Sequence, residues 1–424
     1  MNNRSVLSQS LHPLRDRLTL SSAWAALIAL IVLSSGCSTA KLQRPEGNTW
    51  IDKDLIYGVS ILGATDSTTS PITQQIVAPE DVLDLTPEMR KFTQKLVYPG
   101  LAPMERARRL VRLLVRKDFF PKGYYTTDTR TASEVFEERS GNCLSYTNLF
   151  VAMAREVKLR ANFQLARIPA TWSSDSGYLV KSRHINVLIS DPRVPFKDWI
   201  TVDFNKVASS AIYPHTPVSD EFALSSYYNN IAIDKLYERD YVATFSYLAR
   251  AIEVEPNNAD AWVNLAAVYS QHNKTEEMRA AFEAALRAEP GNESALSGLA
   301  KLYRSQGALD KADYYKNEIR SRRERDPYFQ FATAQAAYEQ EFYEKSLLHI
   351  GRAIELKDHG AFYYLKALAH YARGELDLAS QSLEDAQDRK RSLPSKKQEH
   401  ALQLAQRINA QLASRNGLTE PKGP

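Results

Sequence analysis

Pro256 and Pro290 stand 34 residues apart, and each closes an amphipathic stretch, Ala251-Ile252-Glu253-Val254-Glu255 and Ala285-Leu286-Arg287-Ala288-Glu289. Proline stops a helix because it lacks the backbone N–H and its ring collides with the preceding turn. Between the prolines lie Ala261-Trp262-Val263-Asn264-Leu265-Ala266-Ala267-Val268-Tyr269, then Phe282 and Ala285. Small residues such as Ala266 let paired helices approach, and Trp262, Tyr269 and Phe282 fill the gaps. A helix pair recurring at fixed period buries its apolar face only by stacking on its neighbours. The period therefore commits this part of the chain to an all-α stack.

The order Trp, Leu, small, Tyr, Phe, Ala, Pro at this spacing resembles the tetratricopeptide repeat. An upstream unit carries Tyr228, Ile231, Ala232, Leu248, Ala251 and Pro256; a downstream one carries Leu296, Leu299, Ala300, Tyr303, Gly307 and Ala312. That third unit reaches its proline, Pro327, three residues late, which predicts a longer second helix. Further units show Ala334, Tyr343, Ser346, Ile350 and Ala353, then Tyr363, Ala367, Gly374, Leu376, Ala379, Leu383 and Ala386. About five repeats are expected over 225–393, with a capping helix and tail over 394–424. The resemblance implies a surface that holds a protein partner. Most of the tyrosines are expected to pack helices.

Residues 1–36 read as an export signal. Arg4, Arg15 and Arg17 oppose one acid, Asp16, ahead of the apolar run Ala23–Leu33. That run falls short of the roughly 20 apolar residues a membrane-spanning helix needs, and a basic head, short apolar core and small-residue exit define a secretory signal. The exit, Leu33-Ser34-Ser35-Gly36-Cys37, resembles the lipobox of bacterial lipoproteins, with the leucine one place early. The resemblance implies lipidation (palmitate) at Cys37. Ser38 after the cysteine implies an outer-membrane anchor facing the periplasm. Residues 37–85 are polar and read as a tether, within which Trp50-Ile51 and Leu55-Ile56-Tyr57 could dock. The formal charge of +4 over 424 residues, half of it in the leader, is too balanced to suggest nucleic acid as a partner.

Residues 86–215 are mixed. Met89–Val97 and Met104–Val115 are amphipathic, and Thr131 with Glu134 makes a capping box. A longer helix beginning at Cys143 carries the apolar stripe Leu149, Phe150, Ala152, Met153 and Val157. Strands are expected at Phe163–Ile168, His184–Ile189 and Trp199–Phe204. Helices first and strands later predict an α+β domain with an antiparallel sheet.

Of the two cysteines, lipidation would consume Cys37 and leave Cys143 unable to form an internal disulfide. A lone thiol in an exported protein needs another reason, and catalysis is the leading one. The turn Ser140-Gly141-Asn142 places Cys143 in the first turn of its helix, where unpaired N–H groups favour a thiolate. The activating base must come from elsewhere in the chain. Of eight histidines, only His184 and His215 fall in this domain. His184 opens an apolar strand and is the stronger candidate; His215 sits in the linker-like Tyr213-Pro214-His215-Thr216-Pro217. Asp203 is the one acid inside an apolar strand, whereas Asp191 and Asp198 suit turns.

Cys143 in Gly141-Asn142-Cys143, His184, and Asp203 in Trp199-Ile200-Thr201-Val202-Asp203, with separations of 41 and 19, resemble the transglutaminase-like superfamily over roughly 95–210. That superfamily shares the papain-like arrangement. Asn186 stands where many members have an aromatic residue. The resemblance implies a Cys143–His184–Asp203 triad attacking an amide carbonyl to form a thioacyl enzyme, resolved by water (peptidase or amidase) or by an amine (transglutaminase). Cleavage of a peptide or isopeptide bond in a protein substrate is favoured. The oxyanion would meet the Cys143 N–H and a side-chain donor, Gln164 or Asn142. No cofactor and no metal is expected. A metal site on Cys143 and His184 has no CxxC or HxxxH support. The competing reading is a non-catalytic envelope scaffold lipoprotein that works through its repeats.

Overall fold

The computed structural model describes residues 51–62, 76–98, 100–116, 119, 128–168, 184–193, 195, 199–204 and 212–415. The export signal and Cys37 lie outside the described residues. Among the described residues, no helix is long and apolar enough to cross a membrane.

Two one-turn helices, α1 (Lys53–Ile56) and α2 (Val59–Leu62), come first. Helix α3 (Pro87–Leu96) starts at Thr86, whose hydroxyl accepts from the Met89 N–H, and has proline in its first turn. Helix α4 (Pro103–Arg116) buries Met104, Ala107, Leu110 and Leu114 along one stripe. Helix α5 (Ala132–Glu138) opens on the predicted capping box: Thr131 Oγ1 accepts from the Glu134 N–H, and the Glu134 carboxylate accepts from the Thr131 N–H. Helix α6 (Cys143–Glu156) buries every residue from Leu144 to Ala154. A helix covered on all sides is a domain's central element, and its position fixes the domain around it.

Strands β1 (Arg160–Ala166), β2 (His184–Ser190), β3 (Ile200–Val202) and β4 (His215–Pro217) form one antiparallel sheet in the order β3-β2-β1-β4. The period of two sorts the faces. Ile185, Val187, Ile189, Val202, Ala161 and Phe163 are buried on one face. His184, Asn186, Gln164 and His215 share the other. Ala166 stands opposite His184 on one side and His215 on the other. The stretch around His215 is thus a strand and not the linker-like turn its sequence suggested. Three residues carry no readable period; the pairing to β1 defines the strand, and Pro217 is tolerated because β4 is an edge.

Five helix pairs follow among the described residues: α7 (Asp220–Tyr237) with α8 (Tyr241–Val254), α9 (Ala259–Gln271) with α10 (Thr275–Ala288), α11 (Glu293–Ser305) with α12 (Leu309–Arg325), α13 (Pro327–Glu339) with α14 (Tyr343–Leu356), and α15 (Gly360–Ala372) with α16 (Leu376–Asp388). Helix α17 (Ser395–Arg415) closes the stack with Ala401, Leu404 and Ile408 buried. Trp262, Tyr269 and Ala266 are buried as their spacing predicts, and α12 is the lengthened second helix. Neighbouring pairs interlock: a Cβ on Gly298 of α11 would collide with the Phe282 ring of α10.

Two earlier segments touch the stack. Tyr269 donates its hydroxyl to the Leu55 carbonyl at 2.5 Å, and Glu253 accepts from Lys53 Nζ (2.7 Å) and the Tyr57 hydroxyl (2.6 Å). Part of the expected tether is therefore docked on α8 and α9. Farther along, Ile212 and Tyr213 join the core built by the fourth and fifth pairs and α17. The Tyr213 ring lies 5.9 Å from Tyr328 and 6.3 Å from Phe331, which stacks on Phe362.

Candidate active site

Cys143 is the first residue of α6 and the one free thiol among the described residues, half-buried. Gly141 just before it has φ +150°, and a Cβ there would lie 2.8 Å from Ser145 Cβ, so the turn into the helix requires glycine. Asn142 is the N-cap: its Oδ1 accepts from the Ser145 N–H at 3.0 Å, and its Nδ2 donates to Thr129 at 2.7 Å. The side chain considered as an oxyanion donor is thus occupied with holding the helix end. The Cys143 N–H belongs to the first turn, whose amides point out of the helix. The Thr147 hydroxyl sits 2.8 Å from the Cys143 carbonyl and 3.2 Å from that of Ile185, tying the helix start to β2 one residue past His184.

His184 is 6% exposed, so its partners are protein groups. Its Nε2 lies 2.8 and 2.7 Å from the two carboxylate oxygens of Asp203. Nδ1 is buried, and no protein atom meets it in hydrogen-bond geometry. The Cys143 thiol is nevertheless near enough to act on the ring. Burial by itself pulls the imidazole's pKa down. The Asp203 carboxylate and Cys143 together outweigh burial and raise it from 6.5 to about 9.

Asp203 directly follows β3. Phe204 beside it is buried against Tyr146 (6.2 Å between ring centroids) and Phe150 (5.7 Å) of α6, which fixes the carboxylate relative to that helix. Asn186 donates to Asp203 Oδ2 at 3.1 Å. The residue at the position where the sequence departs from the superfamily is a support for the acid. Its signal was the pairing of two polar residues, His184 and Asn186, on one face of a strand whose other face is wholly aliphatic. Gln164 is buried opposite Asn186, and its amide donates to Thr201 at 3.2 Å. Asp191 shapes a turn, accepting from the Arg193 N–H and guanidinium.

His215 belongs to this neighbourhood, which its sequence context concealed. Burial lowers its imidazole pKa and His184 adds to that, against opposite pulls from Asp203 and the Tyr213 backbone. Its Nε2 is buried with no protein partner. Among the described residues no cluster of three or more His, Cys, Asp or Glu is placed to hold a metal ion.

Comparison with known proteins agrees with this architecture. The model of the transglutaminase-like superfamily matches residues 90–204. Tetratricopeptide-repeat models match 247–280, and 268–326 with 331–394. No curated protein matches the chain. Similar solved structures include PilF of Pseudomonas aeruginosa, 15% identical, covering 45% of this chain and 90% of that one at a TM-score of 0.22. A tetratricopeptide protein of Thermus thermophilus is 16% identical over 44% of this chain and 98% of that one, TM-score 0.22. YrrB, described as a repeat protein with an unusual peptide-binding site, is 19% identical over 42% of this chain and 92% of that one, TM-score 0.22. The chain thus joins a transglutaminase-like domain at residues 90–204 to tetratricopeptide repeats within 247–394.

Proposed function

We propose that this chain is a lipid-anchored, periplasm-facing cysteine enzyme that breaks or remakes amide bonds of protein or peptide substrates through a thioacyl intermediate. The observation that carries this reading is the coupling of His184 to both Asp203 and Cys143, with the imidazole's pKa raised to about 9. His184 takes the proton of the Cys143 thiol, and an imidazole with that affinity keeps it at neutral pH. Cys143 Sγ then attacks the amide carbonyl. The oxyanion is stabilised by the Cys143 N–H at the helix start. Gln164 serves as the side-chain donor only by releasing Thr201. His184 returns its proton to the departing nitrogen, the C–N bond breaks, and water or a second amine resolves the thioester. Asp203 and Asn186 hold the ring in register throughout. The repeats hold the protein partner or substrate, and Cys37 carries the lipid.

The test is alkylation of Cys143 by iodoacetamide in the intact protein. Wild type should react about tenfold or more faster than a free cysteine at pH 7, as activated thiols do, and His184→Ala should remove that excess. Equal rates in the two proteins would contradict the catalytic reading. For the anchor, Cys37→Ser should release the protein from membranes, and continued membrane association would count against lipidation.

A further inference from the structure

His184 is the first residue of β2, and a strand end frays unless something holds it. Its cross-strand partner Ala166 is the last residue of β1, and Ala166 also pairs with His215, the first of β4. The three strands therefore meet at one level at this end of the sheet. Just past that level the Arg167 N–H donates to the Pro214 carbonyl at 2.8 Å, which extends the β1–β4 contact by one link. The chain on both sides of this link then leaves the sheet for the helical stack. Ile212 and Tyr213 are 2% and 5% exposed inside the core of the fourth and fifth pairs and α17, and Ile168 packs against the same core.

The contact is aromatic and directional. The Tyr213 ring meets Phe331 edge-on at 64° and lies tilted against Tyr328, while Phe331 stacks on Phe362 with centroids 5.0 Å apart. Ring pairs of this kind favour offset and edge geometries, so they hold direction as well as distance. Among the described residues, this core includes none from the first three helix pairs. The fourth and fifth pairs thus grip the sheet domain directly, not only through the chain that joins them. Ile212 and Tyr213 also lie beyond residue 204, where the superfamily match ends. The two partners of the Nε2 contact are then held from different sides. Phe204 fixes Asp203 against α6, and the seated end of β1 and β4 supports the start of β2, where His184 stands.

We propose that Tyr213 is a positioning residue for His184: by seating the β1–β4 end in the core of the fourth and fifth pairs, it fixes the imidazole against Asp203. This rests on the acyl-transfer reading above and deepens it. The C-terminal repeats then complete the catalytic domain as well as follow it. A displacement of about 1 Å in a reacting group can cost about 10²-fold in rate, and His184 Nε2 has to stay within 2.8 Å of the Asp203 carboxylate. Loss of packing alone costs stability; readings taken at His184 and Cys143 separate positioning from that loss.

The experiment measures iodoacetamide alkylation of Cys143 at pH 7 and the ¹³Cε1 titration of His184 in the full chain, well below its unfolding temperature. Tyr213→Ala should slow alkylation about tenfold and move the His184 midpoint to lower pH by about one pH unit, the same factor in proton affinity. Tyr213→Phe, which keeps the ring, should match wild type in both. Phe331→Ala loosens the same contact from the repeat side and should move both readings in the same direction; it stands in for Tyr213→Ala should that variant fail to fold. Trp262→Ala removes a buried ring of the second pair, outside this core, and should lower the unfolding temperature while leaving both readings in place. Wild-type alkylation and an unmoved His184 midpoint in folded Tyr213→Ala or Phe331→Ala would overturn the proposal and leave the acyl-transfer reading standing. An equal change in Trp262→Ala would do the same. Wild-type protein alkylated no faster than a free cysteine would overturn that reading, and the proposal with it.

Discussion

The sheet domain and the helical stack treat buried polar atoms in opposite ways. In the stack they pair with one another: Asn264 donates to Asn229 at 2.8 Å, Asn258 to Ser225 at 2.9 Å, and Ser225 to the Ala251 carbonyl at 2.7 Å. Among the described residues, seven buried side-chain atoms lack a protein partner, and six fall between Arg106 and His215; only Ser346 Oγ lies in the repeats. An unpaired buried polar atom costs about 1–3 kcal/mol. A fold tolerates a cluster of them where substrate or chemistry makes use of the groups. His184 Nδ1, Asn186 Oδ1 and His215 Nε2 all belong to the polar face that carries the candidate site. The repeats resolve their polar groups internally.

This contrast predicts that variants of the polar side chains around Cys143 cost chemistry, whereas variants that remove packing or a helix cap cost stability. The largest effect is expected for His184→Ala. It should reduce acyl-enzyme formation on Cys143 by at least about 10³-fold, as loss of a triad base does, with a smaller change in thermal unfolding. A loss of unfolding temperature large enough to explain the inactivity would break the contrast. Next is Phe331→Ala in the fourth repeat. Phe331 is 1% exposed and packs on Phe362 and Tyr213, so truncation should cost about 3–5 kcal/mol in denaturant unfolding. A neutral result would show that the fourth repeat does not hold Tyr213 as described. The smallest is Asn142→Ala. Losing the N-cap of α6 should cost about 1 kcal/mol, with activity falling only in proportion. An activity loss far beyond the stability loss would return Asn142 to the oxyanion hole.

What the sequence revealed was local. The Thr131 capping box, the position of Cys143 at a helix start and the proline-spaced helix pairs are written in residues within one or two turns of each other, and the structure places them as expected. The long second helix of the third repeat was legible from one late proline. What stayed hidden depends on contacts far apart in the chain. Tyr213 meets Phe331 across more than a hundred residues, and β4 exists only because β1 pairs with it. His215 therefore looked like part of a linker, beyond the end of the matched superfamily region at residue 204. Asn186 could be noticed as a departure but not assigned, because its partner Asp203 lies on the next strand.

Asp203 holds His184 through Nε2 while Cys143 acts on the same ring, and the titration of His184 reads both influences. A folded-state pKa raised from 6.5 to about 9 means stability that is fully present below pH 6.5 and lost as pH rises through 9. The measurement is an NMR titration of ¹³Cε1-labelled histidines in wild type, Asp203→Asn and Cys143→Ala. The wild-type His184 signal is expected to titrate near pH 9 and to move toward lower pH in both variants. A wild-type signal titrating at the ordinary 6.5 and unmoved by either substitution would contradict it.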